Sequence, residues 1–210
     1  MKEIISELNA VRRSVGSRRM PAGEARTVVL QRTYDAPIED VWDAITNPER
    51  IPRWFMPVSG DLREGGRFQL EGNAGGEILQ CKAPDLLKVT WEFGGEVSEV
   101  EVRLTPEGAE RTRFHLEHAA VVDPERWQTF GPGAVGVGWD GALLGLALHL
   151  RGGEISDDER ANFHNSPEGR KFLTASSIAW GAANRAAGAT EEEAAAAVEN
   201  TTKFYVPEPS

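Results

Sequence analysis

Two imidazoles and a carboxylate lie within four residues in His115-Leu116-Glu117-His118, and these side-chain types ligate metals or move protons. In an extended segment, however, a separation of three sends the two rings to opposite faces, so they do not chelate one ion. His149 and His164 stand far along the chain without clustered partners. Cys81 is the only cysteine, which excludes an intramolecular disulfide and a multi-cysteine zinc site. It has no recognisable base near it in sequence. Gly131, Gly133 and Gly136 satisfy G-x-G-x-x-G, but residues 124–127 ahead of them read as a turn or helix rather than a strand. Pro132 also deletes an amide that a pyrophosphate would use. No serine elbow and no phosphate loop occur, so no catalytic residue, metal or cofactor is expected.

Two polar candidates remain. His118 alternates in phase with Phe114 and Leu116, near the end of a strand. It reads either as a satisfied core histidine or as a polar fixture at a pocket rim that hydrogen-bonds a ligand carbonyl or hydroxyl. Glu77 reads either as a solvated strand residue or as a buried carboxylate of pocket chemistry.

The elements that would carry these residues follow from periodicity. Ile4, Leu8, Val11 and Val15 fall on one helical face, which predicts an amphipathic helix over residues 1–15 and a polar connector to Gly23. Val28, Val29 and Leu30 predict a first strand over 25–34. Asp35-Ala36-Pro37 then opens a helix carrying Glu39 and Asp40 in its first turn, and Asn47-Pro48 begins a second short one. Five short strands are predicted over 67–71, 77–82, 86–93, 97–104 and 111–118, separated by glycine and proline turns that make antiparallel neighbours. Val100, Val102 and Leu104 alternate with charged residues, as do Phe114, Leu116 and His118, so each strand has one dry face. A glycine-rich stretch leads into a long apolar helix over 139–150. Two capping boxes, Ser156 with Glu159 and Thr190 with Glu193, and Ser166-Pro167 between them mark three helices in the tail.

Composition narrows the function. At 40% hydrophobic and 27% charged, the 210 residues suit one folded domain with appendages. A net charge of −10 repels phosphate backbones and anionic lipid, so neither nucleic acid nor membrane is an expected partner. The cluster Arg12, Arg13, Arg18 and Arg19 reads as solvated surface. No signal peptide and no spanning apolar run of about 18 residues are expected, which, with the lone cysteine, suits the cytoplasm.

Tyr34-Asp35-Ala36-Pro37 with Val41-Trp42, Thr46-Asn47-Pro48, Arg53-Trp54-Phe55, Gly65-Gly66-Arg67-Phe68, Thr90-Trp91 and Leu116-Glu117-His118 together resemble the START-like (SRPBCC) superfamily, in its branch of heat-shock ATPase activator homologues. The resemblance covers roughly residues 25–152. It implies an α+β helix-grip fold, a curved antiparallel sheet wrapped around a long helix, with extra C-terminal helices. The domain reading is 1–23 helix and connector, 24–152 helix-grip domain, and 153–210 a helical extension packed on the domain or on a dimer partner. It further implies a pocket lined by Trp54, Phe68, Leu70, Ile78, Trp91, Val100, Val102, Phe114, Leu116, His118, Trp139 and Leu143. Binding or carrying a small apolar or aromatic molecule, without catalysis, is the leading functional expectation. The alternatives are a cyclase, dehydratase or hydrolase using the same pocket, and a protein-interaction module toward a chaperone.

Overall fold

A computed structural model describes residues 2–153 and 156–207. The chain runs α1 (Lys2–Asn9), β1 (Arg12–Met20), β2 (Gly23–Tyr34), α2 (Ile38–Thr46), α3 (Ile51–Trp54), β3 (Val58–Gly60), β4 (Arg67–Leu70), β5 (Gly75–Lys82), β6 (Leu86–Phe93), β7 (Glu96–Pro106) and β8 (Thr112–Ala120). Helices α4 (Pro124–Phe130), α5 (Gly133–Leu150), α6 (Asp157–Asn162), α7 (Pro167–Ala186) and α8 (Glu191–Tyr205) complete it, with a single 3-10 turn (Phe163–Asn165) before α7. The strands are hydrogen-bonded in the order β1-β2-β8-β7-β6-β5-β4-β3. The fold is α+β. Contacts divide the chain into two compact units, Met1–Leu30 with Val121–Leu144 and Ile155–Ser210, and Gln31–Ala120 with Gly145–Glu154.

In the first unit, the N-terminal helix is shorter than its periodicity predicts. It ends at Asn9, and Arg12–Met20, read from sequence as helix and connector, is a strand. Gly16 weakens a helix by about 1 kcal/mol, and the extended chain carries Arg13 to a buried acid. Arg13 is therefore not solvated surface. Its guanidinium meets the Asp140 carboxylate at 2.9 Å, with side-chain exposures of 8% and 0%. The same group donates to the Leu8 and Val11 carbonyls, which ties the end of α1 to α5.

Helix α5 also begins earlier than expected, because the glycine-rich stretch is helical from Gly133. The Gly136 amide donates to the Pro132 carbonyl at 2.9 Å. A Cβ at Gly136 would run into the Trp180 indole, so glycine is what admits that ring. Contrary to the sequence expectation, this helix of 18 residues has the length and hydropathy, 1.3, of a membrane span. More than half of it is buried, and Asp140 in its middle is held by Arg13, Ser176 and Trp180. That is a core helix built around one ion pair. Both capping boxes form, at Ser156 with Glu159 and Thr190 with Glu193, and the Ser166 hydroxyl caps α7 by accepting from the Gly169 amide.

In the second unit, α2 starts after Pro37 without a side-chain cap, and buries Val41 and Ala44. The Thr112 hydroxyl donates to the Ala36 carbonyl at 2.8 Å, fixing the turn before α2 on β8. Strands β3 to β8 pair antiparallel in sequence order. Strand β3 is an addition to the sequence reading.

Candidate functional site

Register decides which side chains share a face of the sheet. Val89, Val100 and His118 stand in one row across β6, β7 and β8, and Leu87, Val102 and Leu116 in the next. Leu104 lies opposite Phe114, Trp91 opposite Ser98, and Ile78 opposite Val89. Directly paired residues point to the same side. Leu70, Ile78, Val100, Val102, Phe114, Leu116 and His118 are buried, while Trp54, Phe68 and Trp91 are half-buried. These ten sequence candidates all belong to the second unit. Trp139, half-buried, and Leu143, buried, belong to the first.

His118 with Ser98 is a buried polar locus on this face, and Thr112 at the other end of β8 is another, already satisfied by the Ala36 carbonyl. Ser98 Oγ lies 2.8 Å from His118 Nε2 and 3.0 Å from the Trp91 carbonyl oxygen. A hydroxyl has one proton, so both contacts are hydrogen bonds when Ser98 donates to the carbonyl and His118 Nε2–H donates to Ser98. Burial pushes the His118 pKa down to about 4, so the ring is neutral near pH 7. The Trp91 ring lies 6.2 Å from the His118 ring and 6.2 Å from that of Phe68, which extends the locus into a row of π faces.

Other candidates fall away from this row. Glu77 is exposed, on the face opposite Ile78, and is not the buried carboxylate that pocket chemistry would require. The Trp54 indole N–H donates to the Ala44 carbonyl at 2.9 Å, and its ring stacks on Phe55, so it anchors α3 to α2 rather than offering a ligand a donor. His115 is on the opposite face from His118, as the spacing requires. His149 accepts from Arg50 at 3.2 Å, while Arg50 also pairs with Asp40 and Asp43 at 2.7 and 2.9 Å. Burial and the Arg50 charge lower the His149 pKa. Among the described residues no three histidine, cysteine, aspartate or glutamate side chains gather as a metal site.

Sequence reasoning left several residues of the face out of the pocket, Leu87 and Val89 among them, and two more are chemically distinct. Ser98 is two positions before Val100, so alternation could have found it. Cys81 had no such signal: a bulge between Ile78 and Gln80 changes the phase of β5 and sets Cys81 opposite Leu87. Burial raises the pKa of its thiol, which leaves it a neutral, weakly polar wall residue.

A sheet with one apolar face, short helices after its second strand and a long helix after its last define the helix-grip, START-like class. Within that class the chain belongs to the family described as Activator of Hsp90 ATPase homolog 1-like protein, whose model matches residues 35–151. CalU16 from Micromonospora echinospora is 40% identical in its crystal structure, with a TM-score of 0.69, covering 84% of this chain and 99% of that one. Its solution structure is 41% identical with a TM-score of 0.73, over 84% and 96% of the two chains. DynU16, a protein in the dynemicin biosynthetic locus, is 25% identical with a TM-score of 0.53, over 61% of this chain and 48% of that one. No curated protein matches the chain. The likeness to CalU16 extends well beyond the family segment, so it takes in sequence outside residues 35–151.

Proposed function

We propose that the second unit binds a small apolar or aromatic molecule against the dry face of β4–β8, and that it does so without catalysis. The observation that carries this reading is the buried, neutral His118–Ser98 pair beside the half-buried rings of Trp91 and Phe68 on a largely apolar face. An apolar body gains on the order of 25 cal/mol per Å² removed from water, so about 200 Å² contributes about 5 kcal/mol. The His118–Ser98 locus then sets its orientation by accepting from a ligand hydroxyl. The place of DynU16 in a biosynthetic locus supports a metabolite as the ligand. Proton counting favours binding over hydrolysis, because a histidine that donates Nε2–H to Ser98 is not positioned to take the serine's proton. The cytoplasm is the compartment that goes with this reading.

The test begins with mass. Protein purified under native conditions is expected to carry a discrete added mass that denaturation releases. Titration with 2-naphthol, an aromatic body with one hydroxyl, is expected to quench Trp91 fluorescence saturably, and His118→Leu to weaken binding about tenfold, the loss of one hydrogen bond. A clean apo mass together with unchanged affinity in a folded His118→Leu protein overturns the reading.

The family description favours a second reading, activation of an Hsp90-type ATPase. It predicts a rise in that ATPase's turnover on adding the full chain, and a flat titration rejects it. Pairing of two copies through the terminal helices belongs to the proposal as well, and light scattering decides it.

A further inference from the structure

The inward face of α7 carries Phe172, Ser176, Trp180 and Asn184 at four-residue spacing, one above another, and all four are buried. Two of the polar groups on this stripe are satisfied by one acid. Ser176 Oγ donates to Asp140 Oδ2 at 2.5 Å, and Trp180 Nε1 donates to the same oxygen at 3.0 Å. Asn184 lies one turn further on. The residue is 7% exposed, and its carboxamide makes no hydrogen bond to another described residue but keeps contact with solvent. Its hydrogen-bonding capacity is met by solvent and is therefore open to a ligand.

Asn184 stands in the wall of a cavity of about 530 Å³ in the first unit. This is within the range of about 300–1,000 Å³ typical of small-molecule sites. Val15 of β1, Val122, and Trp127 of α4 supply apolar surface. The Arg26 guanidinium lies over the Trp127 ring, 5.2 Å from its centroid, a cation–π contact that holds both in the lining. Glu193 stands on another wall, its carboxylate held by the Thr190 amide and hydroxyl and its pKa lowered by those bonds. Opposite charges and two carboxamides, Asn184 and Gln128, therefore share the lining of a hollow whose wall is about half apolar.

We propose that this cavity is a second binding site, distinct from the sheet face, for a small neutral molecule with a flat apolar body and an amide or lactam edge. A carboxamide presents a donor and an acceptor side by side, and the complementary edge pairs with both at once. Neither an anion nor a cation fits as well, because Arg26 and Glu193 balance each other. A ligand bound here would take the place of solvent at Asn184 and stack its body against Val15, Val122 and Trp127.

Benzamide is the probe. Added to the uniformly nitrogen-15-labelled full chain, it is expected to shift the Asn184 side-chain NH₂ and Trp127 indole signals saturably, assigned by their loss in Asn184→Leu and Trp127→Phe. Toluene, which lacks the edge, and benzoate, which is charged, are expected to bind at least about tenfold more weakly. Asn184→Leu is expected to abolish benzamide binding while leaving the urea unfolding midpoint unchanged or raised, since the lost amide has no protein partner. A His118→Leu protein is expected to bind benzamide normally, which separates this site from the sheet face. The proposal is overturned by absent or non-saturating shifts, by equal binding of toluene, or by a lowered midpoint in Asn184→Leu, which would assign the amide a structural role.

Discussion

His118 shows how one residue acquires a role from its surroundings. Its types of neighbour, not its own chemistry, remove it from metal binding and proton transfer: an apolar face pushes its pKa to about 4, and Ser98 takes its Nε2–H. A folded-state pKa below the unfolded value of about 6.5 means that the unfolded chain binds the proton more readily. The stability tied to the neutral ring is therefore fully present above pH 6.5 and is lost as pH falls toward 4. Lowering the pH from 8 to 5 is expected to cost about 2 kcal/mol through this group. Urea unfolding of the native chain and of His118→Leu at both pH values measures it, because the difference cancels the other titrating groups. An equal pH dependence in both proteins would show that His118 is hydrated or charged in the folded state. Alternation along β8 made the burial of His118 legible, whereas its Ser98 partner depends on the β7–β8 and β6–β7 registers together.

Helix α5 shows what an element requires of its residues. Glycine is costly inside a helix, by about 1 kcal/mol relative to alanine, yet α5 has several, and they differ in purpose. At Gly136 a Cβ would collide with the Trp180 ring, while at Gly141 nothing lies within 4 Å. Gly136→Ala is thus expected to destabilise by about 1–3 kcal/mol through overpacking, and Gly141→Ala to stabilise by up to about 1 kcal/mol. Chemical denaturation of the two variants checks both signs; a destabilised Gly141→Ala would show that the open side of that position is occupied. Neither glycine's neighbours in sequence reveal what its missing side chain leaves room for. What separates them is Trp180, some forty positions on. The N-terminal segment makes the complementary point: Val11 and Val15 continue a helical pattern, but the strand wins because Arg13 is drawn to Asp140.

For the whole molecule, the segment after residue 153 is a structural necessity rather than an appendage. Ser176 and Trp180 on α7 complete the hydrogen bonding of Asp140, whose carboxyl is otherwise raised in pKa by burial and matched only by Arg13. Removing one side of such a buried network costs several kcal/mol. A chain ending at residue 152 is expected to lose cooperative unfolding, followed by circular dichroism in urea, and to expose its apolar surface. A truncated chain that unfolds at the native midpoint would show that the first unit does not depend on α7 and α8.

Local rules determined much of this protein in advance. Alternation marked the dry face of β7 and β8, the turn residues separated the strands, and the capping boxes at Ser156 and Thr190 opened the helices where they stand. These signals need only neighbours within a few residues, because strand and helix periods are properties of the backbone. The tertiary structure alone decided the rest: that Glu77 faces solvent, that a bulge turns Cys81 toward the apolar face, that Arg13 is buried against Asp140, and that Asn184 lines a cavity. Each of these depends on a residue distant in sequence or on a one-residue slip in register, and burial and pairing at such range are set by packing, which no local pattern encodes.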